Sequence, residues 1–131
     1  MRALDASWTQ LHFYLASPYA RYEGGHEAAW RDISAIAARL VAAGVDVFSP
    51  IAHSHSLAVY GEMDKVDHDF WLRVDEKFMM RAEACMVAML PGWQESKGVT
   101  WEIEWFEKRG KLVLYLDPNT LNLTVRQPPG R

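Results

Sequence analysis

A chain of 131 residues, half of them hydrophobic and 24% charged, is long enough to bury a real core, and residues 1–131 are expected to form one domain. A formal charge of −3 without a basic cluster argues against a nucleic-acid polymer as partner, and a single cysteine excludes a disulfide framework or a thiolate zinc site. There is no signal-peptide pattern and no apolar run able to span a bilayer, so a cytoplasmic protein without membrane contact is expected.

Residues 1–9 carry no period and read as a flexible lead-in. Residues 11–16, LHFYLA, form a short apolar and aromatic run stopped by Ser17 and Pro18, which predicts a buried strand. After a loop containing Gly24 and Gly25, residues 28–43 predict a helix with Ala29, Ile33, Ile36, Ala37, Leu40 and Val41 on one face and Gly44 as its stop. Residues 45–49 predict a second strand closed by Pro50. Residues 51–66, with His53, His55 and Gly61, read as a long connection of the kind that carries function. A helix at 67–82, a strand at 85–90 with Cys85 as a buried structural thiol, the loop PGWQESK, a helix at 98–109 and a strand at 111–116 follow. The tail beyond 116 adds one short strand at 121–125 before a disordered PPGR end.

Strands alternating with helices predict an α/β fold, a three-layer Rossmann/flavodoxin-like sandwich with a four- or five-stranded, mainly parallel sheet and a core over about residues 11–117. In such sheets ligands bind beyond the carboxyl ends of the strands, which gathers Tyr14, Ser17, His53, Ser96 and Glu102 around one crevice.

Two helices place a carboxylate where a hydrophobe belongs. At about 100° per residue, Val99, Trp101, Ile103, Trp105 and Phe106 define an apolar arc with Glu102 in its middle, while Glu104, Glu107 and Lys108 face away. In the preceding helix Trp71, Val74, Phe78 and Ala82 share a face, and Asp75 sits on it between Trp71 and Met79. Each can be read structurally, Glu102 as a group bonded to loop amides and Asp75 as a partner of backbone, Arg73 or Arg81. A buried carboxylate is costly without a partner or a function, and two such carboxylates meeting at one cleft can divide nucleophile and acid/base roles.

The strand end Tyr14-Leu15-Ala16-Ser17-Pro18-Tyr19, the helix carrying Asp75, and the element Ser96-x-Gly98-x-x-x-Glu102 together resemble the nucleoside 2-deoxyribosyltransferase superfamily, which includes nucleoside 5′-monophosphate N-glycosidases. The likeness spans roughly residues 13–116 and looks closest to an uncharacterised bacterial branch. It implies that Glu102 is the nucleophile that holds a covalent glycosyl intermediate, that Asp75 handles the proton of the departing base, and that Tyr14 orients Glu102. It further implies that Ser96, with Gly98 and Ser17, lies near a 5′-phosphate, a reading that the following Lys97 favours. Val99 stands where a threonine is common in the superfamily. The implied activity is cleavage or transfer at an N-glycosidic bond, with a nucleoside or nucleotide as the small-molecule partner, in a homo-oligomer whose interface uses the aromatic surface of the last helix. A non-catalytic nucleotide-binding or sensor module of the same fold is the alternative.

His53 is expected to contact base or sugar. Read as metal ligands, His53 and His55 would point the same way from an extended segment, but with Asp67, His68 and Asp69 they lack any standard spacing, so no metal site is read. Trp93 either stacks on a base or covers the core. No dinucleotide fingerprint and no nucleophile elbow occur, and no cofactor is expected.

Overall fold

The computed structural model describes residue 3 and residues 6–125 and is built on a five-stranded sheet in the order β2-β1-β3-β4-β5. The strands are β1 (His12–Ala16), β2 (Asp46–Phe48), β3 (Ala84–Ala88), β4 (Leu112–Leu116) and β5 (Leu123–Thr124). The first four are parallel, and β5 pairs antiparallel with β4. Between them run α1 (Gly25–Ala42), α2 (Pro50–Tyr60), α3 (His68–Arg81) and α4 (Lys97–Lys108). This is the expected α/β sandwich with a mainly parallel sheet, in the doubly wound, flavodoxin-like strand order.

The three central strands are apolar at nearly every position because both of their faces are covered. Successive side chains alternate between faces. Phe13, Leu15, Met86 and Leu114 pack with α1, whereas Tyr14, Cys85, Val113 and Tyr115 pack with Met79 of α3 and Val99, Trp105 and Phe106 of α4. That alternation delivers Tyr14 to the α4 side. From β1 the chain crosses outward to β2, and from β3 it crosses the other way to β4, so the connections after β1 and β3 diverge and leave a crevice between them.

The helix ends follow local chemistry. Gly24 and Gly25 have φ of 95° and 89°, and a Cβ on Gly24 would lie 2.9 Å from that of Ala28, so this entry into α1 requires glycine. Ile33, Ile36 and Leu40 seat in the core as the period predicts. Val41, expected beside them, is instead exposed, since it lies about 100° around the last turn from the buried Leu40. The end of α3 is closed from a distance: Lys111 Nζ donates to the carbonyls of Met79, Met80 and Ala82 at 3.1, 2.8 and 2.7 Å. Trp105 Nε1 donates to Glu76 Oε2 at 3.0 Å and joins α4 to α3.

Three expectations change. Residues Ala6–Gln10 form a 3-10 helix rather than a loose lead-in, with Trp8 buried against Phe13 at 6.4 Å between ring centroids. The segment 51–66 is not one long connection. Ser49 caps α2 by accepting from the Ala52 amide at 3.1 Å, and Pro50, which ends the strand, opens the helix through the same fixed φ. The aromatic face of α4 is turned inward, with Trp105 and Phe106 buried and Trp101 packed against the same core, so it is not an open oligomer surface. Residues 1, 2, 4 and 5 of the expected lead-in and the PPGR end lie outside the described residues. No helix among the described residues is long and apolar enough to cross a membrane.

Candidate active site

The crevice at the carboxyl edge of the sheet opens into a cavity of about 610 Å³, a size that suits a small organic ligand. Its wall draws on the loop after β1 (Ser17, Tyr19), the face of α2 (Ser54, His55), α3 (Trp71, Asp75) and the start of α4 (Ser96, Gly98, Glu102). Tyr14 stands directly behind this wall. Its ring is fully buried, and its hydroxyl donates to Glu102 Oε2 at 2.6 Å. The short bond joins the middle of β1 to the second turn of α4, as the alternation along β1 requires.

Glu102 and Asp75 are both held in the proton-carrying range near neutrality. Burial raises Glu102 from 4.5 to about 8; the Tyr14 hydrogen bond works against the rise and the neighbouring Asp75 charge adds to it. Burial likewise raises Asp75 from 3.8 to about 7, with the Ser54 hydroxyl working against it. Each carboxyl is thus disfavoured as an anion mainly by loss of water, and Asp75 also opposes ionisation of Glu102. Near neutrality Glu102, the higher of the two, keeps its proton more firmly than Asp75 does. Burial also pushes the Tyr14 phenol well above its ordinary value, and the carboxylates push it further, so Tyr14 remains a donor.

Ser17 Oγ, Ser54 Oγ, His55 Nε2 and Asp75 Oδ1 are each buried without a hydrogen-bond partner among the described residues, and all four residues line this cavity. Ser54 and Asp75 stop short of a hydrogen bond of standard geometry. An unsatisfied buried polar atom costs about 1–3 kcal/mol, so four on residues that line one cavity concentrate that cost there. Ser96 also caps α4, its Oγ accepting from the Val99 amide at 3.2 Å, and its hydroxyl proton remains available. Gly98 lies in the first turn, where an added Cβ would find open space, approaching only Ser96 Oγ at 3.9 Å.

Of the residues expected at the crevice, Ser17, Asp75, Ser96, Gly98 and Glu102 come together on the cavity wall, with Tyr14 behind Glu102. His53 and Trp93 do not. His53 packs against the stacked rings of Phe48 and Phe78, at 5.3 and 5.6 Å between ring centroids, because in a helix it points about 200° away from Ile51 on the cavity-facing side. The same geometry parts His53 from His55, which corrects the expectation that the two point together. Among the described residues no group of three or more His, Cys, Asp or Glu is placed to hold a metal. Trp93 is 2% exposed and packs on Tyr115 at 5.6 Å, so it covers the core.

The sequence reading missed Tyr19, His55 and the cations Arg21 and Lys65 on the wall. For His55 a signal was available: Ile51, His55 and Ala58 recur at helical spacing behind a Ser-Pro helix start.

A comparison with curated proteins finds no match. Residues 11–117, most of the chain, match the family described as a domain of unknown function (DUF1937), and the protein belongs to that family.

Proposed function

We propose that the protein cleaves or transfers at the N-glycosidic bond of a nucleoside or nucleoside 5′-monophosphate through a covalent glycosyl–Glu102 intermediate. The observation that carries this reading is the 2.6 Å Tyr14–Glu102 hydrogen bond at a cavity that Asp75 also lines. With one carboxyl oxygen held by Tyr14, the other attacks the anomeric carbon. The C–N bond breaks with its electron pair going to the base, and Asp75 delivers a proton to the departing nitrogen. Water or a second base then attacks the same carbon, the Asp75 carboxylate takes the proton it loses, and the C–O bond to Glu102 breaks with its electron pair returning to the carboxylate, as in a two-step retaining displacement. The first step needs an ionised nucleophile beside a protonated acid, so ligand binding has to move the proton from Glu102 toward Asp75. A purely sensing module would have use for the cavity but not for two carboxyls with their charge disfavoured by burial.

Ser96, Lys97 and the free amides at the start of α4 favour a 5′-phosphate at that end of the cavity. The same reading takes the protein as a cytoplasmic homo-oligomer, for which Leu57, Tyr60 and Val66, exposed near the cavity, offer apolar surface. Light scattering at micromolar concentration checks the assembly. The function itself is tested by incubating pure protein with a panel of nucleosides and 5′-monophosphates and assaying free base. Release that Glu102→Gln abolishes supports the reading, and no release from any member of the panel overturns it.

A further inference from the structure

Tyr19 and His55 line the cavity yet have no role in the glycosidic steps. Tyr19 comes from the loop after β1 and His55 from α2, and the phenol oxygen lies 2.7 Å from imidazole Nδ1. Each ring is held from behind by another. His26 stacks on Tyr19 with centroids 4.4 Å apart and planes 10° from parallel, and Trp30 stacks on His55 at 4.6 Å. Trp30 is fixed in turn by its indole N–H, which donates to Ser56 Oγ at 3.1 Å. His55 is 2% exposed, yet its Nε2 has no hydrogen-bond partner among the described residues.

A ring stacked on one side, bonded at one nitrogen and unpaired at the other does little for stability that an apolar ring would not do better. It is, however, preorganised for a ligand. Burial holds the imidazole below its ordinary value, with Lys65 and His26 acting the same way and Glu27 against them. A neutral imidazole is a poor seat for phosphate and a good one for an uncharged donor–acceptor edge. The wall nearby suits a flat ring: Ile51 and Ala58 lie on the same face of α2 as His55, and Trp71 and Leu72 of α3 also line the cavity.

We propose that Tyr19 and His55 form the base-recognition element of this cavity, His55 Nε2 hydrogen-bonding the polar edge of a nucleobase while Tyr19 fixes the tautomer and orientation of the imidazole. This rests on the nucleoside or nucleotide reading of the ligand. His55 is the binding residue and Tyr19 a positioning residue.

The test is equilibrium calorimetry with a purine 5′-monophosphate, a pyrimidine 5′-monophosphate and ribose 5-phosphate, which lacks a base. His55→Phe keeps a ring against Trp30 but removes both nitrogens. It is expected to weaken at least one of the base-bearing ligands by about tenfold or more while ribose 5-phosphate stays within about twofold. Tyr19→Phe is expected to give a smaller loss of the same kind, with the imidazole nitrogen resonances of His55 reporting mixed tautomers. Should His55→Phe fail to fold, those resonances in the wild type decide: Nε2 must move on adding the nucleotide and stay in place on adding ribose 5-phosphate. Equal losses for all three ligands, no loss for any, or a wild type that binds no base-bearing ligand overturns the proposal. Base release is judged separately. His55-dependent nucleotide binding without release would remove the glycosidic reading and leave the recognition element, whereas release whose KM is untouched by His55→Phe would do the reverse.

Discussion

Against α1 the sheet presents Phe13, Leu15, Met86, Leu114 and Leu116, strand residues with no ionisable group; against α3 and α4 the same strands present Tyr14, Cys85 and Tyr115, and the helices add Glu102 and Asp75. Both sides bury large side chains to completion. Since the strands close the α1 side without an ionisable side chain, the carboxyls of the other side are not needed to hold a helix on this sheet. Their cost is concentrated where the cavity opens, which is the pattern of a site rather than of a core.

Exchanging the roles of the two faces should fail, and the failure should be largest at Glu102. Glu102→Gln is expected to lower base release by about a thousandfold or more while leaving the protein folded, as judged by turnover alongside thermal melting. Leu40→Ala, on the hydrocarbon side, should do the opposite. It is expected to cost about 2–5 kcal/mol in denaturant unfolding and to leave turnover per folded molecule unchanged. A variant of Leu40 that is stable but inactive would break the comparison.

Within the polar side, Ser96→Asp sharpens the division between structure and ligand. Aspartate caps a helix as well as serine does, so α4 should persist. A carboxylate facing a phosphate in a partly dry cavity is expected to weaken 5′-monophosphate binding by about tenfold and to spare unphosphorylated nucleosides. Titration of both ligand types into wild type and variant checks this, and equal losses would mean that Ser96 does not face a phosphate.

A further effect is on stability against pH. Asp75 and Glu102 are raised on folding from 3.8 and 4.5 to about 7 and about 8, so across that interval the native protein keeps protons that the unfolded chain has released. Stability should therefore fall as pH rises from about 4 to about 8, which is opposite to the usual behaviour of salt-bridged carboxylates. Glu102→Gln should flatten the fall and melt higher than wild type on its alkaline side. Melting curves at about pH 5 and about pH 8 measure it, and parallel slopes in the two proteins would contradict the buried, proton-holding state of Glu102.

Much of this arrangement could be read before the fold was known, because it is written in local periods. The runs at β1, β3 and β4 and the apolar arcs of α1, α3 and α4 announce themselves, and Glu102 and Asp75 stand out as interruptions of such arcs. What failed was whatever depends on partners remote in sequence. Pro50 has the same signature as a strand stop and as a first helical residue, and choosing the first hid α2, put His53 at the crevice and left His55 out. The choice between a stacking and a covering Trp93 turns on Tyr115, which no local pattern connects to it. Trp8 lacks a periodic neighbourhood, and no local pattern connects it to Phe13, against which it packs.

Lys111 makes the end of α3 depend on a distant part of the chain. The final carbonyls of α3 have their cation only once a residue about thirty positions further along the chain has been placed at the start of β4. Until then the last turn of the helix that carries Asp75 has open carbonyls and frays. A chain cut before residue 111 lacks this cation as well as Leu114 and Leu116 of the α1-side core, and it holds Asp75 on a helix whose last turn is open. The position of Asp75 at the cavity thus depends on a lysine that neither lines the cavity nor lies near it in sequence.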